Sequence, residues 1–150
     1  MKGALTIRPA AAEDGAAWLV LWRGYCAALQ GDIADDVSDE VWRRIISADP
    51  AVGCLLAAIP SGEIIGFANY ILHPHTWSLR PVCYLEDLFV APEARGIGAG
   101  RTLINGLVSL GRQCGWRRLY WHTHADNQQA RRLYDRISPS TDYVRYDIEL

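Results

Sequence analysis

The run Leu85-Glu86-Asp87-Leu88-Phe89-Val90-Ala91-Pro92-Glu93-Ala94-Arg95-Gly96-Ile97-Gly98-Ala99-Gly100-Arg101 constrains the fold more than any other part of the chain. An apolar stretch ends at Pro92, and glycines at two-residue spacing then open a helical pattern. A buried strand therefore delivers a glycine-rich turn to a helix N-terminus. Such a turn lets main-chain N–H groups approach an anion, and the first helical turn adds unpaired donors and the positive end of the helix dipole. The ligand that fits is a phosphate. The run lacks the Gly-Lys-Ser/Thr of an ATP-binding loop, and Gly96, Gly98 and Gly100 do not match the Gly-x-Gly-x-x-Gly of dinucleotide sites. Because a tight strand-to-helix turn needs glycine on steric grounds alone, its neighbours decide the reading.

The run resembles the Arg/Gln-x-x-Gly-x-Gly/Ala signature of the GNAT superfamily of N-acetyltransferases, whose loop holds the pyrophosphate of acetyl-coenzyme A. Further along, Asn127-Gln128-Gln129-Ala130-Arg131-Arg132-Leu133-Tyr134 is similar to the second family signature, Asn-x-x-Ala-x-x-Leu/Phe-Tyr, in the family's order and spacing. The opening Leu5-Thr6-Ile7-Arg8-Pro9-Ala10 and the strand Ile64-Ile65-Gly66-Phe67-Ala68 extend the likeness over essentially the whole chain. Within the family, Tyr84-Leu85-Glu86-Asp87 resembles spermidine/spermine acetyltransferases, and Tyr120-Trp121-His122-Thr123 up to Asn127 resembles yeast-type histone and D-amino-acid acetyltransferases. The resemblance implies one GNAT domain over residues 1–150, an α/β (α+β) fold with a mixed central sheet of about six strands flanked by helices. It also departs from the family: the usual Gly-Phe after the last helix is replaced by Ile137-Ser138-Pro139-Ser140-Thr141-Asp142-Tyr143, and one terminal strand is legible where many members have two.

Bulk properties agree with a small soluble enzyme. A chain of 150 residues, half of them hydrophobic, buries roughly 70% of its unfolded surface and needs no staple. No apolar run approaches the roughly 20 residues of a membrane span, and Arg8, Glu13 and Asp14 interrupt any signal-peptide core. A cytoplasmic protein, free of membrane contacts, is expected. Cys26, Cys54, Cys83 and Cys114 show no Cys-x-x-Cys pairing, so they read mostly as buried small hydrophobes. A net charge of −2 with a single lysine, Lys2, argues against nucleic-acid binding. Asp32, Asp35, Asp36, Asp39 and Glu40 form either a solvated loop that caps a following helix or a lure for a cationic acceptor.

Periodicity places a strand near residues 4–8, a helix after Asp14, and a second helix over about 39–48. Strands near 53–59 and 63–72 flank Pro60-Ser61-Gly62 as a hairpin, 73–81 reads as a loop, and a strand over 82–90 leads to the glycine turn. A helix after Gly96 ends at Gly115; a strand over 117–123, a helix over about 127–137 and a half-buried strand over 143–150 follow.

Acetyl transfer to an amine needs a neutral nitrogen, a polarised carbonyl and a proton for the departing thiolate. Glu86 is the candidate base, as the resemblance to the spermidine/spermine enzymes implies, with Asp87 its rival on the opposite face of the strand by simple alternation. Tyr134 is the candidate acid, roughly two turns from Asn127 and protonated at neutral pH; packing is its bland alternative. Asn127 and Ala130 are expected at the coenzyme, although Asn127 also suits a helix cap. A backbone N–H near Leu88 is expected to hold the thioester oxygen, with the pantetheine arm lying beside Leu88, Phe89 and Val90 like an added strand. Arg95, Gly96, Ile97, Gly98, Ala99, Gly100 and Arg101 are expected to bind the pyrophosphate, Arg101 being equally readable as a solvated helix residue.

Trp22, Tyr25, Trp121 and His122 are candidate acceptor-pocket residues, with Tyr70 and Trp77 as further aromatic candidates; core packing is the alternative for the aromatic ones. The His73/His75 and His122/His124 pairs lack a matched carboxylate or cysteine, so no metal is expected. The expected partner is a small-molecule amine or basic peptide acceptor, and a homodimer is expected because the last strand leaves a sheet edge open. A catalytically silent acyl-coenzyme-A-binding domain, acting as sensor or partner module, is the rival reading. Retention of both Glu86 and Tyr134 argues against it.

Overall fold

The computed structural model describes residues 3–150; Lys2 lies outside them. Five strands form one sheet in the order β1-β2-β3-β4-β5: β1 (Thr6–Pro9), β2 (Val52–Ala58), β3 (Ile64–His75), β4 (Ser78–Val90) and β5 (Arg118–Tyr120). Four α-helices flank it: α1 (Gly15–Ala28), α2 (Asp35–Ile45), α3 (Ala99–Cys114) and α4 (Gln128–Tyr134). β1 to β4 pair antiparallel, and β5 returns parallel to β4 through the α3 crossover.

The sheet is covered on both faces, which explains why six consecutive residues of β2, Gly53 to Ala58, are buried rather than alternating. On one face α1 and α2 pack Trp18, Leu21, Trp22 and Ile45 against Leu56, Phe67 and Phe89. On the other, Leu103, Ile104 and Leu107 of α3 pack against Leu55, Ala57, Ile65, Ala68 and Leu85. Successive residues of β2 thus belong to opposite cores, as the two-residue period requires. Trp18 stacks on Trp22 at 5.2 Å, and the Trp22 Nε1–H donates to Ser38 Oγ at 3.0 Å, which ties α1 to α2. Arg8 grips the buried Asp14 carboxylate through both oxygens at 2.7 and 2.8 Å, and the Ala11 N–H donates to it as well.

Several sequence expectations are corrected. Among the described residues the sheet has five strands rather than about six, because residues 143–150 form no strand and stand exposed. Residues 73–81 are not a loop: β3 and β4 run on through His75 and from Ser78, joined by Thr76 and Trp77, whose ring projects into solvent. The second helix begins at Asp35 rather than near 39, so Asp35 and Asp36 sit in its first turn and complement the helix dipole. Asp14 precedes α1 but spends its carboxylate on Arg8 and Ala11 instead of capping the helix. Of the cysteines, Cys54 and Cys83 are buried, Cys26 is half-buried and Cys114 is exposed.

Candidate active site

β4 and β5 touch only over Val82–Tyr84 against Arg118–Tyr120, and beyond Leu85 β4 runs on with no neighbour on that side. The cause is local. A β-bulge between Asn69/Tyr70 of β3 and Leu85–Asp87 of β4 makes Glu86 the extra residue, and a bulge bends its strand just where β5 ends. A cleft opens there.

Its β4 wall is main chain. The Ala91 N–H donates to Ile65 O at 2.8 Å, which makes Ile65–Ala91, Phe67–Phe89 and Asn69–Asp87 the mutually bonded pairs of the antiparallel ladder. The N–H and C=O groups of Leu88 and Val90 therefore face away from β3, into the cleft. Phe89 is corrected on the same ground: its main chain belongs to β3 and its ring to the α1-side core. The side chains of Leu88 and Val90 pack towards α3.

At the end of this wall, Gly96 and Gly98 have φ of +85° and +88°, a backbone that L side chains rarely adopt. A Cβ placed on either meets no atom within 4 Å, so both positions are open, and glycine alone adopts their backbone without strain. The first bond of α3 runs from Thr102 N–H to Gly98 O at 3.0 Å, leaving the N–H groups of Ala99, Gly100 and Arg101 without a helical acceptor. This is a cradle whose donor set fits a pyrophosphate. Ala99 is buried beneath it, a Cβ on Gly100 would crowd Leu133 of α4, and Ile97 and Arg101 are exposed. Arg95 turns away from the cradle: its Nε–H donates to Val90 O at 3.0 Å, and its guanidinium lies over the Phe89 ring.

Two sets of side chains flank the cleft. On the α3 side, Tyr134 ends α4, half-buried, with the Trp121 ring edge-on at 5.5 Å; burial holds its hydroxyl above the usual tyrosine range. Asn127 is the N-cap of α4, accepting from the Ala130 N–H at 3.2 Å, so its carbonyl oxygen is already engaged. Trp121 is partly buried and packs against the α3-side core.

On the opposite side are Glu86, Asp87, Tyr25, Tyr84, Tyr120 and His122. Burial, reinforced by the neighbouring Asp87 charge, raises the Glu86 carboxyl, while Arg145 opposes the rise. Asp87 is raised by burial too, but Asn69 Nδ2 donates to it at 3.1 Å and the Tyr25 hydroxyl also engages it, both favouring the carboxylate. Asn69 in turn accepts from Trp18 Nε1 at 3.3 Å. The bulge interrupts the simple alternation on which the split of the two carboxylates between opposite faces of the strand rested. His122 Nδ1 shares a hydrogen bond with the Tyr84 hydroxyl at 3.2 Å, Tyr84 stacks on Tyr120 at 5.0 Å, and the Tyr120 hydroxyl meets His73 Nε2 at 2.8 Å.

Trp22 is buried in the α1-side core, its ring 5.7 Å from that of Tyr25. Tyr70 packs on Trp116 in the α3-side core. Sequence reasoning missed Asn69 and the Tyr84–Tyr120 stack; a lone amide inside the apolar run Gly66-Phe67-Ala68-Asn69-Tyr70-Ile71 was the available signal. An apolar hollow of about 710 Å³ at the other end of the sheet, lined by Pro9, Ile45, Cys54, Tyr70, Leu110 and Trp116 among others, includes neither the glycine turn nor Glu86 or Tyr134.

A parallel strand pair that parts beyond Tyr84, with a main-chain wall leading to a glycine cradle at a helix N-terminus, defines an α/β fold with an open cleft of main-chain donors. Residues 18–138 match the profile of the Acetyltransferase (GNAT) family, and the chain belongs to that family as an acetyl-coenzyme-A-dependent N-acetyltransferase. It is 34% identical over 137 residues to the D-amino-acid N-acetyltransferase HPA3 of Saccharomyces cerevisiae, covering 89% of this chain and 84% of that protein. It is 35% identical over 133 residues to an aminoglycoside N(6')-acetyltransferase type 1 of Stenotrophomonas maltophilia, covering 87% and 82%. Among solved structures, AAC(6')-Iy in complex with a bisubstrate analogue superposes with a TM-score of 0.83 over 99% of both chains at 22% identity, a likeness of fold. Among the described residues no helix is long and apolar enough to cross a membrane.

Proposed function

We propose that this enzyme moves the acetyl group of acetyl-coenzyme A to the primary amine of a small cationic acceptor, by direct attack with both substrates bound. The observation that carries the reading is the continuous donor surface formed by the outward main chain of Leu88 and Val90 and the open cradle at Gly96–Arg101. A thioester supplies the activated acetyl group; this chain's residues hold it and move two protons. The Leu88 N–H donates to the thioester oxygen, where charge grows as nitrogen attacks. Glu86, its pKa raised above the usual carboxylate value by partial burial and the Asp87 charge, takes the proton from the attacking ammonium in its ionised form, directly or through water. Asp87, anchored by Asn69 and Tyr25, adds negative charge that favours a cation at the same face. As the N–C bond forms and the C–S bond breaks, Tyr134 gives its proton to the departing thiolate, and the second proton of the acylated nitrogen passes through water to restore the tyrosine.

The relatives named for D-amino acids and aminoglycosides support an amine as acceptor, and the paired carboxylates support a positively charged one. A cytoplasmic homodimer without a metal completes the proposal. The test is thiol release from acetyl-coenzyme A across polyamines, amino acids of both hands, aminoglycosides and basic peptides. Turnover fastest with cationic amines is expected. Tight coenzyme binding with no thiol release from any amine would instead favour the silent acyl-coenzyme-A-binding domain.

A further inference from the structure

The far end of the sheet holds a hollow that acetyl transfer does not use. β1 stays in register with β2 only as far as Pro9 against Leu55, whereas β3 and β4 run on past the start of β2 to His75 and Ser78. The overhanging hairpin, the last turn of α3 and the end of α2 at Ile45 leave about 710 Å³ between them, a volume typical of small-molecule sites. Its floor is aromatic. Tyr70 packs on Trp116 with ring centroids 5.5 Å apart, and a Cβ on Gly53 would collide with the Tyr70 ring, so glycine is what lets that ring lie across β2. Four of the chain's seven prolines, Pro9, Pro50, Pro74 and Pro81, line the walls. They fix the backbone and withhold N–H donors, so the hollow is formed in advance and a charged guest must be met by side chains. Those side chains are of one sign: Arg80, His73 and His75 line the hollow, and among the described residues no aspartate or glutamate does. Arg80 forms no ion pair among the described residues. Desolvation, then the positive charges of Arg117, Arg118 and His73, hold the His75 imidazole below its ordinary value, with no carboxylate to oppose them.

We propose that this hollow is a second ligand site, taking an apolar acid: one carboxylate set on Arg80, carried by a flat apolar body that lies against Tyr70 and Trp116. A cationic guest meets like charge at Arg80 and the histidines, and a purely apolar guest leaves the guanidinium unanswered. An acid with an apolar body satisfies the charge and the wall together, since a guanidinium binds a carboxylate through paired N–H donors and the tilted rings of the floor accept a planar face. The glycine turn, Glu86 and Tyr134 all lie outside the hollow, so the site stands apart from the acetyl-transfer reading.

The test titrates 2-naphthoate into the wild type, Arg80→Gln and Cys114→Trp by calorimetry, with 2-naphthalenemethanol as the neutral match, and follows the tryptophan indole N–H groups by NMR. Arg80 and Cys114 are both exposed, so neither change removes a core contact, and thermal melts check that both variants fold. Of the six tryptophans only Trp116 lines the hollow, while Trp121 stands beside Tyr134 at the cleft, so the indole signals tell the two sites apart. Saturable binding of 2-naphthoate that shifts Trp116 and leaves Trp121 in place is expected. Binding should weaken about 3- to 10-fold in Arg80→Gln and for the neutral alcohol, and disappear in Cys114→Trp, whose new ring fills the hollow. The proposal is overturned if 2-naphthoate gives no saturable heat, if it shifts Trp121 instead of Trp116, if the alcohol binds as tightly as the acid, or if both folded variants bind it as the wild type does. It is overturned equally if sedimentation shows dimers that Cys114→Trp dissociates, which would make a second copy the occupant.

Discussion

Replacing Gly98 by alanine adds one methyl group at the point where the cradle is both strained and open. At φ +88° an L side chain is disfavoured by about 1–2 kcal/mol, and no neighbour within 4 Å adds a clash. For a domain of 150 residues that corresponds to a fall in Tm of about 2–8 °C. The effect on the coenzyme is of another kind. The methyl fills space through which a phosphate must approach, so one charge-assisted N–H bond worth about 1.5–3 kcal/mol is lost, or about 10- to 150-fold in Kd. Gly115→Ala is the matched control. Gly115 has φ +73° and is equally open, but it caps the other end of α3, about 24 Å away along a helix of 16 residues. Calorimetry with acetyl-coenzyme A and thermal melts on both variants separate the terms. Similar losses of Tm with a weakened Kd for Gly98→Ala alone are expected; equal affinities in two folded variants would refute the cradle as the phosphate site.

Tyr134→Phe keeps the ring against Trp121 but removes the proton, so kcat at saturating coenzyme should fall roughly 10²–10⁴-fold with little change in Tm; full activity would remove Tyr134 from the chemistry. Glu86 works as a base only when ionised, and burial raises its pKa, so kcat/KM of the wild type should climb with pH through a value above the ordinary carboxylate range. Glu86→Gln should be most impaired at low pH and partly rescued at high pH, where more acceptor is already neutral; parallel pH profiles would remove Glu86 as base. Asp14 is held below the usual carboxylate range by its bonds to Arg8, so the stability it adds is present above the unfolded value of about 3.9 and fades as pH falls through the lower folded value. Asp14→Asn should cost about 1–3 kcal/mol at neutral pH in denaturant melts and almost nothing once the wild-type carboxyl is protonated.

The glycine cradle, the length of α3 and its Gly115 cap were legible because each depends on neighbours a few positions away in the chain. The hairpin extension over residues 73–81 was not, since Pro74 and Pro81 read as strand breakers. Both are tolerated because β2 is in register only as far as Ile71 and β5 begins opposite Val82, so neither missing N–H leaves a gap in a ladder. The bulge at Glu86 was equally hidden: it follows from the register that β3 imposes on β4, which simple alternation along one strand does not reveal. Residues 143–150 do have the strand pattern expected of them, but pattern selects a face and cannot supply a neighbour. Asn127 was readable in both of its roles, and its bond to Ala130 expresses the capping one.

The division of β4 into residues whose main chain faces β3 and residues whose main chain faces the cleft has an evolutionary consequence. A donor recognised through N–H and C=O groups is indifferent to which side chains the wall carries, so Leu88 and Val90 can drift among apolar residues that still pack on α3. In the proposed reaction the acceptor is met instead by side chains, at Tyr25, Tyr84, Glu86, Tyr120 and His122, where each replacement rewrites the chemistry offered to an amine. Duplicated copies of such a gene can explore new acceptors without relearning how to hold the acetyl donor.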